Sequence, residues 1–403
     1  MKGKILLFST MLLLFVGFIA ISTSQALTPK EKLGKAIFFD ENLSINNNQS
    51  CATCHAPGAG WTGPDSSINA HGAVYKGSIP GAFGDRKPPS SAYATQSPVL
   101  HVDKKGLFTG GNFWDGRATG ERLGSAAAEQ ALGPFLNPKE QALGSPEDVV
   151  EKVCTSDYVD LFKKVWGSKV CTEDVALAYD KIGYSIAAYE ASTEVNAFSS
   201  KYDYSLPGKA QLSKQERRGL ALFMGKGKCS KCHVIDGRAP LFTDFTYDNL
   251  GMPRNPENPA YSWKDEGEAW VDPGLGGFLA TRLEYHAYAD ANWGKHKVPT
   301  LRNVDLRKFD GGVKAYGHNG YFKSLEGIVH FYNTRDVKPV CPVPYTEEEA
   351  LAENCWPAPE VAQNVNTAEL GDLKLTKADE AAIVAFLKTL SDGYKPPPPK
   401  KKK

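Results

Sequence analysis

The chain has 403 residues, and its 47 Lys and Arg side chains nearly balance its 46 Asp and Glu side chains. This balance argues against a nucleic-acid-binding surface, so we expect no nucleic-acid partner. The length exceeds what one ordinary hydrophobic core covers, and we therefore expect two domains.

The N-terminal segment is typical of an export signal. Residues 5–21 form an apolar run after Lys2 and Lys4, and the run leads into Ser24-Gln25-Ala26. This pattern predicts a Sec signal peptide over residues 1–26 and a mature chain in the periplasm. The alternative is an uncleaved membrane anchor, because the apolar run is long enough to span a bilayer.

A helix is predicted just before the first pair of cysteines. Thr28-Pro29-Lys30-Glu31 is a capping box with proline at the first helical position. Apolar residues follow on one helical face, namely Leu33, Ile37 and Phe38. The next motif is Cys51-Ala52-Thr53-Cys54-His55, in which two thiols and an adjacent imidazole can bind a haem covalently and ligate its iron.

The same motif recurs at Cys229-Ser230-Lys231-Cys232-His233. A zinc ribbon would need four ligands in close pairs, and a thioredoxin-like motif does not require the following histidine, so both interpretations are weaker. We therefore expect two c-type haems. Their thioether bonds and proximal iron ligands would come from Cys51, Cys54 and His55, and from Cys229, Cys232 and His233.

The region between the two motifs predicts a long loop and then helices. Residues 56–110 are rich in Gly, Pro and Ser with few periodic runs, which indicates a loop. Ser145-Pro146-Glu147-Asp148 opens one helix, and Thr172 is expected to begin another. These helices would cover the first haem.

The second half of the chain repeats the pattern of the first. Ser213-Lys214-Gln215-Glu216 is a second capping box, and Thr28, Glu31, Gly34 and Phe38 match Ser213, Glu216, Gly219 and Phe223 at identical offsets. We interpret this as an internal duplication with one haem per half. Residues 253–293 again resemble a loop, and Thr376 starts a last helix.

These elements predict a mostly α fold with two cytochrome c-type haem domains and long loops. The domains would cover residues 27–205 and 206–395, because residues 202–211 have the composition of a junction. Residues 396–403, four prolines and four lysines, are predicted to form a disordered tail.

Four cysteines remain after the haem motifs. In an oxidising compartment their spacing predicts two local disulfides, Cys154 with Cys171 and Cys341 with Cys355. Buried free thiols are the alternative.

Three further stretches carry a family resemblance. They are Phe113-Trp114-Asp115-Gly116-Arg117, the segment from Glu129 to Glu140, and Lys297-Val298-Pro299-Thr300-Leu301-Arg302-Asn303-Val304. Together with the haem motifs, they resemble the bacterial di-haem cytochrome c peroxidase family, which includes the MauG-like enzymes. The resemblance covers nearly the whole mature chain. It implies a peroxidatic haem in the first domain and an electron-transfer haem in the second.

The resemblance implies roles for four residues near the first haem. Trp114 matches the tryptophan that lies between the haems, while Gln130, Pro134 and Glu140 match three residues of the distal pocket. Glu140 is the candidate acid–base group, because a carboxylate above the iron can move a proton between the two oxygens of peroxide. Six extra residues, 120–125, separate the tryptophan from this group.

His71 matches a histidine that caps the peroxidatic iron in many family members and leaves when the other haem is reduced. We expect His71 to be this gate, with a surface loop histidine as the alternative.

The second haem departs from the family pattern. Family peroxidases carry a methionine where Gly317 stands in Ala315-Tyr316-Gly317-His318-Asn319-Gly320. His318 and Tyr316 are the candidate distal ligands, since glycine would let the backbone approach the iron. The alternative is an iron left open or bound elsewhere. Met252 is expected in a distant loop and is not considered a natural substitute.

The family also holds a calcium ion between its domains, largely through backbone and amide oxygens. In Asp85-Arg86-Lys87-Pro88, however, Lys87 stands where the family pattern would place an amide ligand, and the calcium ligands stay unassigned.

Three functions follow from the resemblance. The first is a peroxidase that reduces H2O2 with electrons from a small cytochrome c or cupredoxin, relayed through the second haem. The second is a MauG-like oxidase that uses a high-valent haem state on a protein or small molecule. A plain di-haem electron carrier is disfavoured, because a carrier needs no open acid–base pocket. A homodimer is left open.

Overall fold

The described residues are mostly α-helical, as predicted. A computed structural model describes residues 26–264 and 267–398, so residues 1–25 of the predicted signal peptide and residues 399–403 of the predicted tail lie outside it. The helices are α1 Pro29–Phe38, α2 Cys51–Cys54, α3 Ser66–Ala70, α4 Ala126–Leu136, α5 Pro146–Cys154, α6 Val159–Trp166, α7 Val175–Glu190, α8 Lys201–Ser205, α9 Lys214–Met224, α10 Ala260–Trp263, α11 Gly274–Ala280, α12 Leu325–Thr334, α13 Glu347–Ala352 and α14 Lys377–Lys388.

Within the described residues, four strands of two residues each form two small antiparallel pairs. Strand β1 His101–Val102 pairs with β2 Phe108–Thr109, and β3 Tyr247–Asp248 pairs with β4 His296–Lys297. Among the described residues, none of the helices combines the length and hydrophobicity that a membrane span requires.

The apolar side chains form two main clusters, one in each half of the chain. The first cluster includes Leu33 on α1, Phe135 on α4 and Ile186 on α7. The second includes Phe223 on α9 and Phe386 on α14. Each CxxCH motif therefore follows a helix that is anchored in its own core. Because Tyr202 on α8 packs in the second cluster, that core begins a few residues before the predicted boundary, and the boundary itself stays a prediction.

The same close helix crossing occurs in both halves. Helix α1 packs on α7 at Gly34, where a Cβ atom would lie 1.8 Å from the carbonyl oxygen of Ser185. Helix α9 packs on α14 at Gly219, where a Cβ atom would lie 1.9 Å from the carbonyl oxygen of Ala382. These glycines are two of the matched positions in the predicted duplication. The duplication itself stays a prediction.

Most predicted helix starts are confirmed. Thr28, Ser145, Ser213 and Thr376 each cap a helix through a side-chain oxygen that accepts a backbone N–H. The start at Thr172 is wrong, because α7 begins at Val175 and the side chain of Asp174 accepts the N–H groups of Ala176 and Leu177.

Both predicted disulfides are present. Cys154 is bonded to Cys171 and Cys341 is bonded to Cys355, which leaves the four cysteines of the haem motifs as free thiols. The first disulfide ties the end of α5 to the turn before α7, and the second ties the segment before α13 to the residues that follow it.

Candidate haem sites

The first CxxCH motif presents a histidine that is ready to bind iron. Cys51 and Cys54 are the first and last residues of α2, and the next residue, His55, has its Nδ1 atom 3.2 Å from the carbonyl oxygen of Trp61. With Nδ1–H donating to this carbonyl, the lone pair of Nε2 is free. Burial lowers the pKa of His55 to about 4, so the imidazole is neutral at pH 7, as an iron ligand must be.

The second motif has the same arrangement. The Nδ1 atom of His233 lies 2.8 Å from the carbonyl oxygen of Phe242, and burial lowers the pKa of the imidazole. Neither Cys229 nor Cys232 forms a disulfide. The donor sets of both motifs therefore fit a haem held by two thioether bonds and one imidazole.

A cavity lies beside each motif. The first cavity is bordered by His55, Trp114 and Gln130, together with Tyr93 and the segment 297–300 of the second half. The second cavity is larger and mostly apolar, and it is bordered by Cys229, Cys232, His233 and residues of α9, α12 and α14. Apolar walls next to a thiol pair and a free imidazole nitrogen are the environment that a porphyrin requires.

Trp114 borders both cavities. Its side chain is buried, and its Nε1–H donates to the carbonyl oxygen of Lys87 at 2.8 Å. On the side of the second cavity, its ring meets the ring of His318 edge-on with centroids 6.5 Å apart. Trp114 therefore lies between the two cavities, and its role between the haems stays a prediction.

The charge of Glu140 acts on the first motif, although Glu140 does not border the first cavity. Burial raises the pKa of its carboxyl to about 7, and the nearby Arg117 acts in the opposite direction. Burial is the main cause that raises the pKa of the Cys54 thiol, and the negative charge of Glu140 is the second cause. The carboxyl of Glu140 is therefore near enough to act on the haem attachment point.

Helix α4 positions the other two residues of the predicted distal group. Gln130 borders the first cavity, and Pro134 stands one turn further along the same helix. The carbonyl of Pro134 accepts the backbone N–H of Gln141 at 3.1 Å, a contact that folds the segment bearing Glu140 back onto the helix.

His71 is not placed at the first haem site. Its side chain is exposed, and Nδ1 lies 2.8 Å from a carboxylate oxygen of Glu257 in the second half of the chain. It is not among the residues that border either cavity. The gate stays a prediction, and it requires the loop around His71 to move.

His318 and Tyr316 both border the second cavity, and the buried Nε2 of His318 has no hydrogen-bond partner among the described residues. The ring of His318 stacks on that of His296 with centroids 3.5 Å apart, and its Nε2 lies 3.8 Å from a carboxylate oxygen of Glu360. The hydroxyl of Tyr316 lies 3.4 Å from the Arg307 guanidinium, and burial raises the pKa of the phenol.

Two residues that the sequence reasoning missed also border the second cavity. Met252 is one, and the expectation that it lies in a distant loop is wrong. A Cβ atom on Gly317 would lie 2.7 Å from Cε of Met252. The Asn319 side chain donates to the carbonyl of the next residue, Pro253, at 2.8 Å.

The other missed residue is Tyr332 on α12. Its hydroxyl has no hydrogen-bond partner in the described part of the chain. Burial is the main cause that raises the pKa of this phenol, and the charges of Cys232 and Cys229 also raise it. The sequence offered only a weak signal for it, namely a tyrosine in the amphipathic segment after the Gly317 loop.

A calcium ion between the halves stays a prediction, and its ligands stay unassigned. The carboxylates near Lys87 are already paired: Asp85 with Lys264 at 3.0 Å, and Asp115 and Asp272 with Arg86 at 2.6 Å each. The two clusters of metal-binding side chains in the described residues each include a histidine or a cysteine. Calcium prefers a shell made only of oxygen ligands, so neither cluster fits it.

Two CxxCH motifs, each with a neutral histidine and its own cavity and core, define a two-haem protein of the cytochrome c class. The comparisons with known proteins give the family. A family model described as di-haem cytochrome c peroxidase matches residues 28–211. The chain is 35% identical over 366 residues to the methylamine utilization protein MauG of Paracoccus denitrificans, covering 89% of this chain and 88% of that protein. The chain therefore belongs to the di-haem cytochrome c peroxidase and MauG family.

Other relatives are named as peroxidases. The cytochrome c551 peroxidase of Pseudomonas aeruginosa is 35% identical over 309 residues, covering 74% of this chain and 70% of that protein. The crystal structure of the diheme peroxidase BthA from Burkholderia thailandensis matches with a TM-score of 0.75 at 30% identity, covering 92% of this chain and 88% of that chain. The chain is thus an oxidoreductase of the di-haem peroxidase type.

Proposed function

We propose that this chain is an exported peroxidase that reduces H2O2 to water in the periplasm. Electrons would come from a small redox protein, a cytochrome c or a cupredoxin, and would pass from the second haem to the first. Both haems would be attached through the thioether bonds of the two CxxCH motifs. The single observation that carries this proposal is the half-buried Glu140, whose pKa is raised to about 7 beside the first motif.

Glu140 supplies the acid–base chemistry of the proposed reaction. The bound haem supplies an iron atom that accepts peroxide oxygen, and the chain supplies the proton movements. Cleavage of peroxide needs a group that takes the proton from one oxygen and returns it to the other. A carboxyl with a pKa of about 7 performs both steps near neutral pH with little energetic penalty.

The neighbouring residues keep the distal side selective. Gln130 borders the first cavity, and its amide can orient peroxide by a hydrogen bond. Pro134 has no side-chain donor or acceptor, so it offers no ligand that would compete for the iron. Trp114, which borders both cavities, is the proposed route for electrons between the two haems.

A second candidate function is a MauG-like oxidation of a protein or small molecule. The observation that favours it is the second cavity, where Gly317 replaces the family methionine and Tyr332 presents a free hydroxyl within the described residues. We propose Tyr332, His318 and Tyr316 as the candidate distal ligands. An oxygen or imidazole ligand would lower the reduction potential relative to methionine and would hinder reduction by a high-potential cytochrome.

Stopped-flow mixing with H2O2, with and without prior one-electron reduction, separates the candidate functions. A gated peroxidase should react only after reduction, and the His71→Gly variant should then react without it. A MauG-like enzyme should react in the fully oxidised state. Absence of any reaction in both states would leave only the electron carrier and would contradict the proposed function.

A further inference from the structure

Lys314 forms an unusual contact between the two halves of the chain. Its side chain is buried, and Nζ lies 2.9 Å from the carbonyl oxygen of Ala59 in the first half. Nζ also lies 2.8 Å and 3.0 Å from the carbonyl oxygens of Asn303 and Leu306 in the second half. Three acceptors require three N–H donors, which only the protonated ammonium form of lysine provides.

Lys87 is a second buried lysine at the same junction. Its Nζ donates to the hydroxyl of Thr62 at 3.0 Å and to the carbonyl of Pro88 at 3.1 Å. Its backbone also joins the two halves, because its N–H donates to the carbonyl of His318 at 2.8 Å and its carbonyl holds the indole of Trp114. Both lysines border the second cavity.

Neither lysine has an acidic partner within the described residues. All of their side-chain hydrogen bonds are to carbonyl or hydroxyl oxygens, and no ion pair with a carboxylate is formed by either one. Burial lowers the pKa of Lys87 to about 8, and burial together with the charge of Lys87 lowers the pKa of Lys314 well below its ordinary value.

The Nζ atoms of Lys314 and Lys87 are thus surrounded by neutral oxygens, as a bound metal cation can be. Hard metal ions select backbone carbonyl and hydroxyl oxygens, but calcium requires six to eight of them at about 2.3–2.6 Å. The oxygens around Lys314 are spaced for N–H donors instead. A divalent cation placed near two ammonium groups would also be repelled at low dielectric constant.

We propose that the ammonium groups of Lys314 and Lys87 take the place of a metal cation at the junction, and that this chain binds no calcium there. The positive charge at the junction is then carried by lysine side chains, so a chelator cannot remove it. This proposal is independent of the proposed function, because it concerns the junction and not the reaction with peroxide.

The first test uses the holoenzyme after dialysis against EGTA. We expect no stoichiometric calcium by plasma mass spectrometry, and no change in the thermal unfolding midpoint when millimolar CaCl2 is added back. One retained calcium ion per chain, or a rise of the midpoint with CaCl2, would overturn the proposal.

The second test replaces Lys314 by an apolar side chain of similar length. Lys314→Met leaves three buried carbonyl oxygens without a donor, so the unfolding midpoint should fall, whereas Lys308→Met at an exposed lysine should leave it unchanged. Equal midpoints for both variants would contradict the role of Lys314. If Lys314→Met does not fold, the calcium content of the wild-type holoenzyme still decides the question.

Discussion

At the scale of single residues, the proposed chemistry depends on two kinds of burial. His55 and His233 are buried with Nδ1 held by a backbone carbonyl, which keeps each imidazole neutral and leaves Nε2 free. Glu140 is half-buried, and burial favours its protonated form until the pH approaches about 7. The same physical cause therefore prepares the iron ligands and the acid–base group.

The first prediction concerns the pH dependence of the reaction with peroxide. Below a pH of about 7 the carboxyl of Glu140 is protonated and cannot accept a proton, so the rate should rise with pH and level off above that value. The charge of Asp85 contributes to raising this pKa, and Asp85→Asn should therefore move the rise to lower pH. The second-order rate constant, measured across this pH range, is the readout. A rise that stays in place in Asp85→Asn, or moves to higher pH, would argue against Glu140 as the titrating group.

The second prediction concerns the distal ligand of the second haem. Among Tyr332, His318 and Tyr316, only the true ligand should, when replaced by Phe or Ala, change the low-temperature EPR signal of one ferric haem. We expect Tyr332→Phe to have this effect, because the Tyr332 hydroxyl has no hydrogen-bond partner among the described residues. Nε2 of His318 also has none, but the His318 ring is stacked on that of His296. A methionine-to-iron charge-transfer band in the near infrared of the wild type would instead identify Met252, which lies at the same cavity.

The haem-binding role of the two motifs could be predicted from the sequence, because all the residues that bind one haem lie within five consecutive positions. The second cavity could not be predicted in the same way. Met252 reaches it from a loop that is distant in sequence from Gly317, and Tyr332 reaches it from helix α12, so only tertiary contacts bring them together. The gate role of His71 comes only from its match to a family histidine, and the structure pairs His71 with Glu257 instead.

At the scale of elements, the two close helix crossings support the two haem motifs. Helices α1 and α9 each end shortly before a CxxCH motif, and each crosses its partner helix at a glycine. The capping boxes could be predicted, because a cap depends on side chains within four residues. The start of α7 could not, because Thr172 and Asp174 are both capping residue types and only the structure shows which side chain accepts the N–H groups.

The third prediction tests the crossing of α1 and α7. A methyl group on Gly34 would overlap the carbonyl oxygen of Ser185, so Gly34→Ala should lower the free energy of unfolding by about 1–3 kcal/mol. Alanine is otherwise the better helix former by about 1 kcal/mol, so any loss reflects the overlap. Gly58→Ala is the control, because a Cβ atom there would have no neighbour closer than 3.8 Å. Chemical denaturation that gives equal values for both variants would show that the helices can separate without penalty.

At the scale of the whole molecule, the fold places the two motifs on either side of one junction. Trp114 borders both cavities, Lys87 holds its indole, and Lys314 joins the two halves through three carbonyl oxygens. The sequence predicts two helical halves with one haem each, because helix caps, motif spacing and cysteine number are local properties. It does not predict how the halves meet, since a buried lysine and an exposed one look alike in a sequence.

The reaction of H2O2 with two matched variants tests directly whether Glu140 performs the acid–base step. Glu140→Gln removes the proton acceptor, so the rate should fall by about 10²-fold or more while the haem spectra stay unchanged. Glu190→Gln is the control, because it alters another buried carboxyl near Cys51. Burial raises the pKa of the Glu190 carboxyl to about 8, so this carboxyl is already protonated at pH 7 and the rate should persist. Stopped-flow rates that are equal in Glu140→Gln and the wild type would contradict the claim that Glu140 performs the acid–base step.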